Sequence, residues 1–149
     1  GGSENLRGIR DGLDICLRHD PSFAQAKVAL VPFTDMSPTI AEWFKKKDFH
    51  AAAFETSLML YWHPELVREP RVTDSEEVMA MLRADQDAYQ TVERPVDHPM
   101  VMPRIRQDER IKIGVLGDPL QASAEQGEQM AKEVVEAMVE LIRLMESAK

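Results

Sequence analysis

The chain has 149 residues, of which 26 are acidic and 18 are basic, so its formal net charge is −8. An apolar fraction of 44 % suits one globular domain, and no run approaches the roughly 20 apolar residues of a membrane-spanning helix. An acidic chain without a basic cluster is a poor nucleic-acid binder, because phosphate contacts need lysine and arginine. The single cysteine, Cys16, excludes an internal disulfide and a metal site of several cysteines. We therefore expect a reducing, cytoplasmic setting and neither a nucleic-acid nor a membrane partner.

Apolar spacing and capping residues predict five helices. Residues 6–17 repeat apolar side chains at helical intervals and should end near Asp20-Pro21. Ser37-Pro38 supplies an N-cap and a proline at the first helical position for a short helix. Helices are also predicted over residues 51–62 and 76–82. A long C-terminal helix should begin after Ser123, which forms the S-x-x-Q spacing of a capping box with Gln126.

Two short apolar runs, residues 27–33 and 111–116, are predicted to be buried strands. Residues 85–110 contain three prolines and no sustained period, which predicts a long loop with one short strand near Val101. The order of helices and strands indicates an α/β fold. Because a sheet usually has more than two strands, we expect this chain to supply only part of a larger sheet.

The densest group of reactive side chains lies between residues 48 and 57. His50 follows Asp48 by two residues and precedes Glu55 by five. A carboxylate beside a histidine fixes the tautomer of the ring and stabilises its protonated form, which suits general acid/base catalysis. The structural alternative is that Asp48 caps a helix and Glu55 lies on a helix surface. The other histidines lie in loop-like sequence and are not expected to take part: His19, His63 and His98.

A second candidate site begins at Gly114, where a glycine-containing loop follows a predicted strand. Loops at the carboxyl ends of strands carry the sites of many α/β folds. The loop lacks the lysine and the glycine spacing of a phosphate-binding loop. The alternative interpretation is a turn that leads into the capped C-terminal helix.

Three segments, taken in order, resemble the creatininase family, the creatinine amidohydrolase type. They are residues 48–57 (D-x-H-A-x-x-x-E-T-S), 64–68 (P-E-L-V-R) and 114–127 (G-V-x-G-D-P-x-x-A-S-A-E-x-G). The resemblance is to the C-terminal part of the family, so residues 1–149 would form the C-terminal part of a single creatininase-like domain. The start, Gly1-Gly2-Ser3, is either a flexible linker or, together with the residues up to Leu6, the end of the family's N-G-H-G-G-N type segment.

The resemblance implies a three-layer α/β/α fold with a mostly parallel sheet, assembled as a homo-oligomer that is commonly a hexamer. It also implies a metal-dependent hydrolase of C–N bonds in small, often cyclic, amides. The metal would be zinc, manganese or iron, held mainly by residues of an N-terminal half of the same protein or of a second chain. By this resemblance His50 and Glu55 are catalytic candidates, and Glu55 is also a candidate metal ligand. Asp48 and Trp43 are candidates for substrate binding.

Two positions depart from the family pattern. Phe49 stands where the family often has glutamate, and Ala52 stands where it has glycine, so the resemblance does not extend to creatinine as the substrate. A second interpretation is a catalytically silent structural or binding subunit that keeps the fold. Because two strands cannot close a stable sheet and the chain carries enough apolar surface to need a partner, we expect it to bury an apolar interface above roughly 2,000 Å² with another chain.

Overall fold

Five α-helices and one antiparallel hairpin form the regular structure of residues 3–85 and 87–148, the part of the chain that the computed structural model describes. The helices are α1 (Ser3–His19), α2 (Pro38–Lys45), α3 (Ala53–Trp62), α4 (Glu76–Ala84) and α5 (Ala124–Ser147). The strands are β1 (Gln90–Glu93) and β2 (Arg104–Gln107). All five predicted helices are confirmed.

The helix starts form as their capping residues predict. The Ser37 hydroxyl accepts from the backbone N–H of Ile40 at 3.0 Å, and Pro38 occupies the first helical position. At the start of α5 the Ser123 hydroxyl accepts from the backbone N–H of Gln126 at 3.3 Å. The return bond of the capping box does not form, since the Gln126 side-chain oxygen is buried without a hydrogen-bond partner among the described residues.

The main core lies where α2, α3 and α5 pack together. Its fully buried members include Ile40 on α2, Ala53 on α3 and Met130 on α5. Gly127 makes the closest approach between α5 and α3, because a Cβ built there would lie 2.0 Å from the Ser57 carbonyl oxygen. A second, smaller cluster of Val78, Leu82 and Ile111 packs α4 against the residues that precede the glycine-containing loop.

The two predicted strands, residues 27–33 and 111–116, are wrong for the described chain. Residues 27–32 lie outside any helix or strand, and Phe33 begins a 3-10 turn. In the second run, only Leu116 makes a β-bridge, to His50. The backbone N–H groups of residues 112–114 instead donate to the carboxylate of Asp74. An apolar run becomes a strand only where a neighbouring strand takes its backbone hydrogen bonds, and a side chain takes them here.

The predicted loop over residues 85–110 contains the hairpin. Val92 pairs with Ile105, and both side chains are mostly exposed. The prolines at 95, 99 and 103 lie in the connection between the strands, which fits their inability to donate to a ladder. The short strand expected near Val101 begins at Arg104 as β2, and Val101 itself lies in the connection.

The described residues form neither the parallel sheet nor the three layers of the expected α/β fold, since their one sheet is the antiparallel hairpin. The chain exposes 10987 Å² of surface. A compact monomer of its mass, 16.9 kDa, exposes about 7,700 Å². Apolar side chains contribute to the excess: Ile9, Ile15 and Leu17 on α1 are each more than two-fifths exposed. No helix in the described ranges has the length and apolar character needed to cross a membrane.

Candidate active site

The two candidate segments of the sequence meet in the structure. The backbone N–H of Leu116 donates to the carbonyl of His50 at 2.8 Å, and the N–H of Phe49 donates to the carbonyl of Leu116 at 2.7 Å. His50 and Leu116 therefore form an antiparallel bridge. The histidine motif and the glycine-containing loop are two sides of one site, although 66 positions separate these two residues in the numbering.

His50 and Glu55 form the paired group that the motif predicts. The His50 Nδ1 lies 3.4 Å from Glu55 Oε2, and 65 % of the histidine side chain is exposed. Glu55 lies in the first turn of α3, and its Oε2 also accepts from the backbone N–H of Ala51 at 2.5 Å. Ala51 has a φ of +50°, which turns the chain sharply before the helix begins. This turn overcomes the five-residue spacing, which on a regular helix would place the two side chains on different faces.

This pair suits proton transfer. With Glu55 facing Nδ1, the neutral ring that keeps its proton on Nδ1 presents a free lone pair at Nε2. The Nδ1–Oε2 distance of 3.4 Å is longer than an ordinary hydrogen bond and within the reach of an ion pair. The exposed ring leaves Nε2 accessible to a substrate or a water molecule.

Asp48 is placed differently from its two partners in the motif. Its side chain is buried and accepts from the backbone N–H groups of Ala53 at 2.7 Å and Phe54 at 3.2 Å. Burial raises the pKa of Asp48, and the N–H donors of Ala53, Phe54 and Asp118 offset part of that rise. Asp48 therefore caps α3, whose own N-cap residue, Ala52, has no capping side chain. Its role in substrate binding stays a prediction.

Trp43 is a core residue in the described structure. It is only 7 % exposed and belongs to the cluster that contains Ile40 and Met130. The Lys46 ammonium lies 4.3 Å from its ring centroid, which is a favourable cation–π distance. The predicted substrate contact of Trp43 stays a prediction.

Gly117 explains why small residues occur on both sides of the site. Its φ is +143°, and a Cβ there would lie 2.6 Å from the Ala52 Cβ and 2.7 Å from Asp48 Oδ2. Glycine is the residue that both adopts this backbone conformation and leaves room for the neighbouring segment. The glycine-containing loop therefore packs directly on the histidine motif.

Two residues that the sequence does not single out hold this loop from its other side. Asp74 is buried and accepts from the backbone N–H groups of Lys112, Ile113 and Gly114 at 2.7, 3.0 and 2.7 Å. Arg71 donates to the carbonyls of residues 119 and 122 at 3.0 and 3.3 Å. Each of these hydrogen bonds joins residues that are more than 35 positions apart in the sequence, so no local pattern could reveal them.

Asp74 makes the structure sensitive to acid. Burial by itself would raise the pKa of Asp74, but its three backbone donors together lower that pKa below the ordinary value. The ordinary value is about 3.9. A carboxylate with a lowered pKa in the folded state stabilises the protein above the unfolded-state pKa and loses that contribution as the pH falls through the folded-state value.

We therefore expect Asp74→Asn to lower the free energy of unfolding near pH 7 by about 1.5–3 kcal/mol, the range for hydrogen bonds to a charged group. The loss should become smaller as the pH falls below the ordinary value and through the lowered folded-state pKa of Asp74, because the wild-type carboxylate is then protonated. Urea unfolding at several pH values measures this difference. Asp97→Asn is the control, because Asp97 is exposed. Identical acid dependence of Asp74→Asn and the wild type would contradict the assignment.

The described residues do not form a metal site by themselves. Among them, no group of three or more His, Cys, Asp or Glu side chains is arranged to hold an ion. A zinc site needs at least three protein ligands, and His50 with Glu55 offers two donors. The N-G-H-like start that the resemblance places at the front of the chain includes Gly1 and Gly2, which lie outside the described residues.

Comparison with known proteins gives two matches. The model of the creatininase family, described as creatinine amidohydrolase, matches residues 12–142. A solved structure named "Creatininase Mn" is 27 % identical in sequence and superposes with a TM-score of 0.60 over 96 % of this chain. The match covers 53 % of that structure, so the chain spans about half of its length. A search of curated proteins finds no match.

Proposed function

Because this chain belongs to the creatininase family, we propose that it supplies the C-terminal part of a metal-dependent amidohydrolase domain. The enzyme would cleave a C–N bond in a small, often cyclic, amide. An N-terminal half of the same protein, or a second chain, would supply the main metal ligands. The observation that carries this proposal is the contact between His50 Nδ1 and Glu55 Oε2, beside the β-bridge that joins His50 to Leu116.

The proposed role of His50 is proton transfer to the leaving nitrogen. When an amide is hydrolysed, the nitrogen must gain a proton as its bond to the carbonyl carbon breaks. The Nε2 of His50 would take a proton from the attacking water and give it to that nitrogen. Glu55 would keep the other ring proton on Nδ1 and stabilise the imidazolium that forms between the two transfers.

The proposed metal is a divalent ion, with zinc, manganese and iron as candidates. Manganese is the first candidate, because the matched structure carries Mn in its name. Within this chain Glu55 is the carboxylate that would add to ligands from the other half. Its side chain is 40 % exposed, so a ligand or ion supplied from outside can reach it.

A partner for the chain is supported by its exposed surface. The chain exposes about 3,000 Å² more than a compact protein of its mass, and α1 contacts little besides the 3-10 turn that follows it. Residues 27–32 also run without strand pairing. A strand or helix face from a second polypeptide would cover these groups. We further propose that the completed domains assemble into a homo-oligomer, for which a hexamer is the first candidate.

The test is metal binding and turnover with and without the other half. We expect the 149-residue chain alone to retain no stoichiometric manganese or zinc after dialysis, as measured by mass spectrometry of the metal. Joined to a creatininase-family N-terminal half, it should retain metal and hydrolyse small amides. Stoichiometric metal on the chain alone would contradict the division of ligands. A joined protein that binds metal or a partner but turns over no amide would favour the silent subunit.

A further inference from the structure

One buried carboxylate connects the two loops of the candidate site. Asp48 accepts two backbone hydrogen bonds from the start of α3, at Ala53 and Phe54. Its Oδ2 also lies against Gly117 of the glycine-containing loop, where an added Cβ would approach it to 2.7 Å. Two donors from the start of α3 therefore converge, beside the glycine-containing loop, on a residue that is 2 % exposed. Such burial favours a role within the fold over direct contact with a substrate.

His50 lies within the loop that Asp48 closes with the start of α3, and Glu55 follows directly after that loop. Asp48 fixes the chain before His50, and its bonds to Ala53 and Phe54 fix the chain after it. Between these points Ala51 adopts a φ of +50°, a conformation that non-glycine residues rarely keep unless their surroundings hold them. That conformation directs the Ala51 N–H to Glu55, which in turn faces the His50 ring.

The glycine-containing loop holds the same segment from the opposite side. Leu116 bonds to the backbone of His50 on both its N–H and its carbonyl, and the adjacent Gly117 packs against Asp48 and Ala52. If the Asp48 carboxylate were lost, the N–H groups of Ala53 and Phe54 would lose their acceptor, while His50 would stay bonded to Leu116. The start of α3, which carries Glu55, would then be free to move relative to His50.

We propose that Asp48 is a positioning residue for the His50–Glu55 pair, acting through the backbone of residues 50–54 and not by contact with the substrate. For its effect on turnover this inference rests on the proposed function. The expected effect of Asp48 on the His50 ring does not rest on the proposed function, because the position and tautomer of that ring can be measured without any substrate.

The test compares Asp48→Asn with Glu133→Gln. Asparagine keeps the size of the side chain but has one acceptor oxygen where aspartate has two, so it cannot hold Ala53 and Phe54 on separate oxygens as aspartate does. Glu133 is a matched control. It is a half-buried carboxylate that also accepts several hydrogen bonds, from Ser37, Thr39 and Gln129, and it lies outside the motif segments.

The main measurement is ¹⁵N NMR of the His50 ring, at a pH where the imidazole is neutral, with hydrogen exchange of the backbone amides. The wild type should carry its ring proton mainly on Nδ1. Asp48→Asn should move the ring towards the tautomer mixture of free imidazole and speed exchange of the Ala53 and Phe54 amides at least tenfold. Glu133→Gln should lower the melting temperature while leaving both signals unchanged. In the joined enzyme, Asp48→Asn should lower kcat about 10–100-fold with little change in KM.

Three outcomes would overturn the proposal. One is a folded Asp48→Asn protein with unchanged His50 signals, and another is an equal change in Glu133→Gln, which would indicate a general loss of stability. Gly117→Ala provides a second variant, because its Cβ would press on Asp48 and should produce the same His50 signature. The third outcome is that neither Asp48→Asn nor Gly117→Ala folds, which would mean that Asp48 serves the fold alone. If Asp48→Asn alters the His50 ring signals but the wild-type joined enzyme hydrolyses no amide, the proposed function is rejected and this inference still holds.

Discussion

Replacing His50 with asparagine should lower turnover by the joined enzyme about 10²–10⁴-fold, the usual contribution of one positioned acid/base group. Asparagine keeps a hydrogen-bonding group but has no ring that can accept and release a proton. The fold should survive, because the histidine side chain is 65 % exposed and its backbone, not its ring, bonds to Leu116. Single-turnover kinetics with a melting curve for each variant separate the loss of chemistry from a loss of structure.

His63 provides the matched control for this experiment. Its Nδ1 lies 3.1 Å from Glu65 Oε1, so it is also a histidine beside a glutamate, and both side chains are at least 60 % exposed. It lies at the end of α3, outside the motif loops. His63→Asn should leave turnover within about threefold of the wild type, whereas Glu55→Gln should lower it. Loss of activity in His63→Asn with little change in His50→Asn would reverse the assignment of roles.

The helices could be predicted from the sequence because their signals are local. Ser37 followed by Pro38 sets the start of α2 within three residues, and Ser123 does the same for α5. The same locality made the histidine motif visible, since His50 and Glu55 are five positions apart. What the motif could not reveal is the left-handed conformation of Ala51, which brings these two side chains together.

The strands could not be predicted because a strand depends on distant partners. Residues 111–116 have the composition of a strand, yet the N–H groups of residues 112–114 bond to Asp74, almost forty positions earlier. The same limit applies to the capping role of Asp48. The sequence offered helix capping as an alternative, but the packing of Asp48 against Gly117 depends on a loop about seventy positions away.

Gly127→Ala should lower the free energy of unfolding by about 3 kcal/mol or more, at the upper end of the cost of overpacking a core. The added Cβ would lie 2.0 Å from the Ser57 carbonyl oxygen and 2.9 Å from the Tyr61 Cβ. The first is a backbone atom of α3 and cannot rotate away, so α5 must move from α3. That movement would also stretch the hydrogen bond of 3.1 Å from the Ser123 N–H to the Ser57 hydroxyl.

Gly12→Ala separates this steric effect from the helix preference of alanine. Gly12 lies within α1, and a Cβ there meets nothing within 4 Å. Alanine should therefore raise the helicity of α1, because it is favoured over glycine in helices by about 1 kcal/mol. Urea unfolding and circular dichroism of the two variants should thus show effects of opposite sign. Equal free energies of unfolding for Gly127→Ala and Gly12→Ala would mean that α5 can move away from α3 at little cost. The position of the loop that ends at Ser123 would then not depend on the α3–α5 contact.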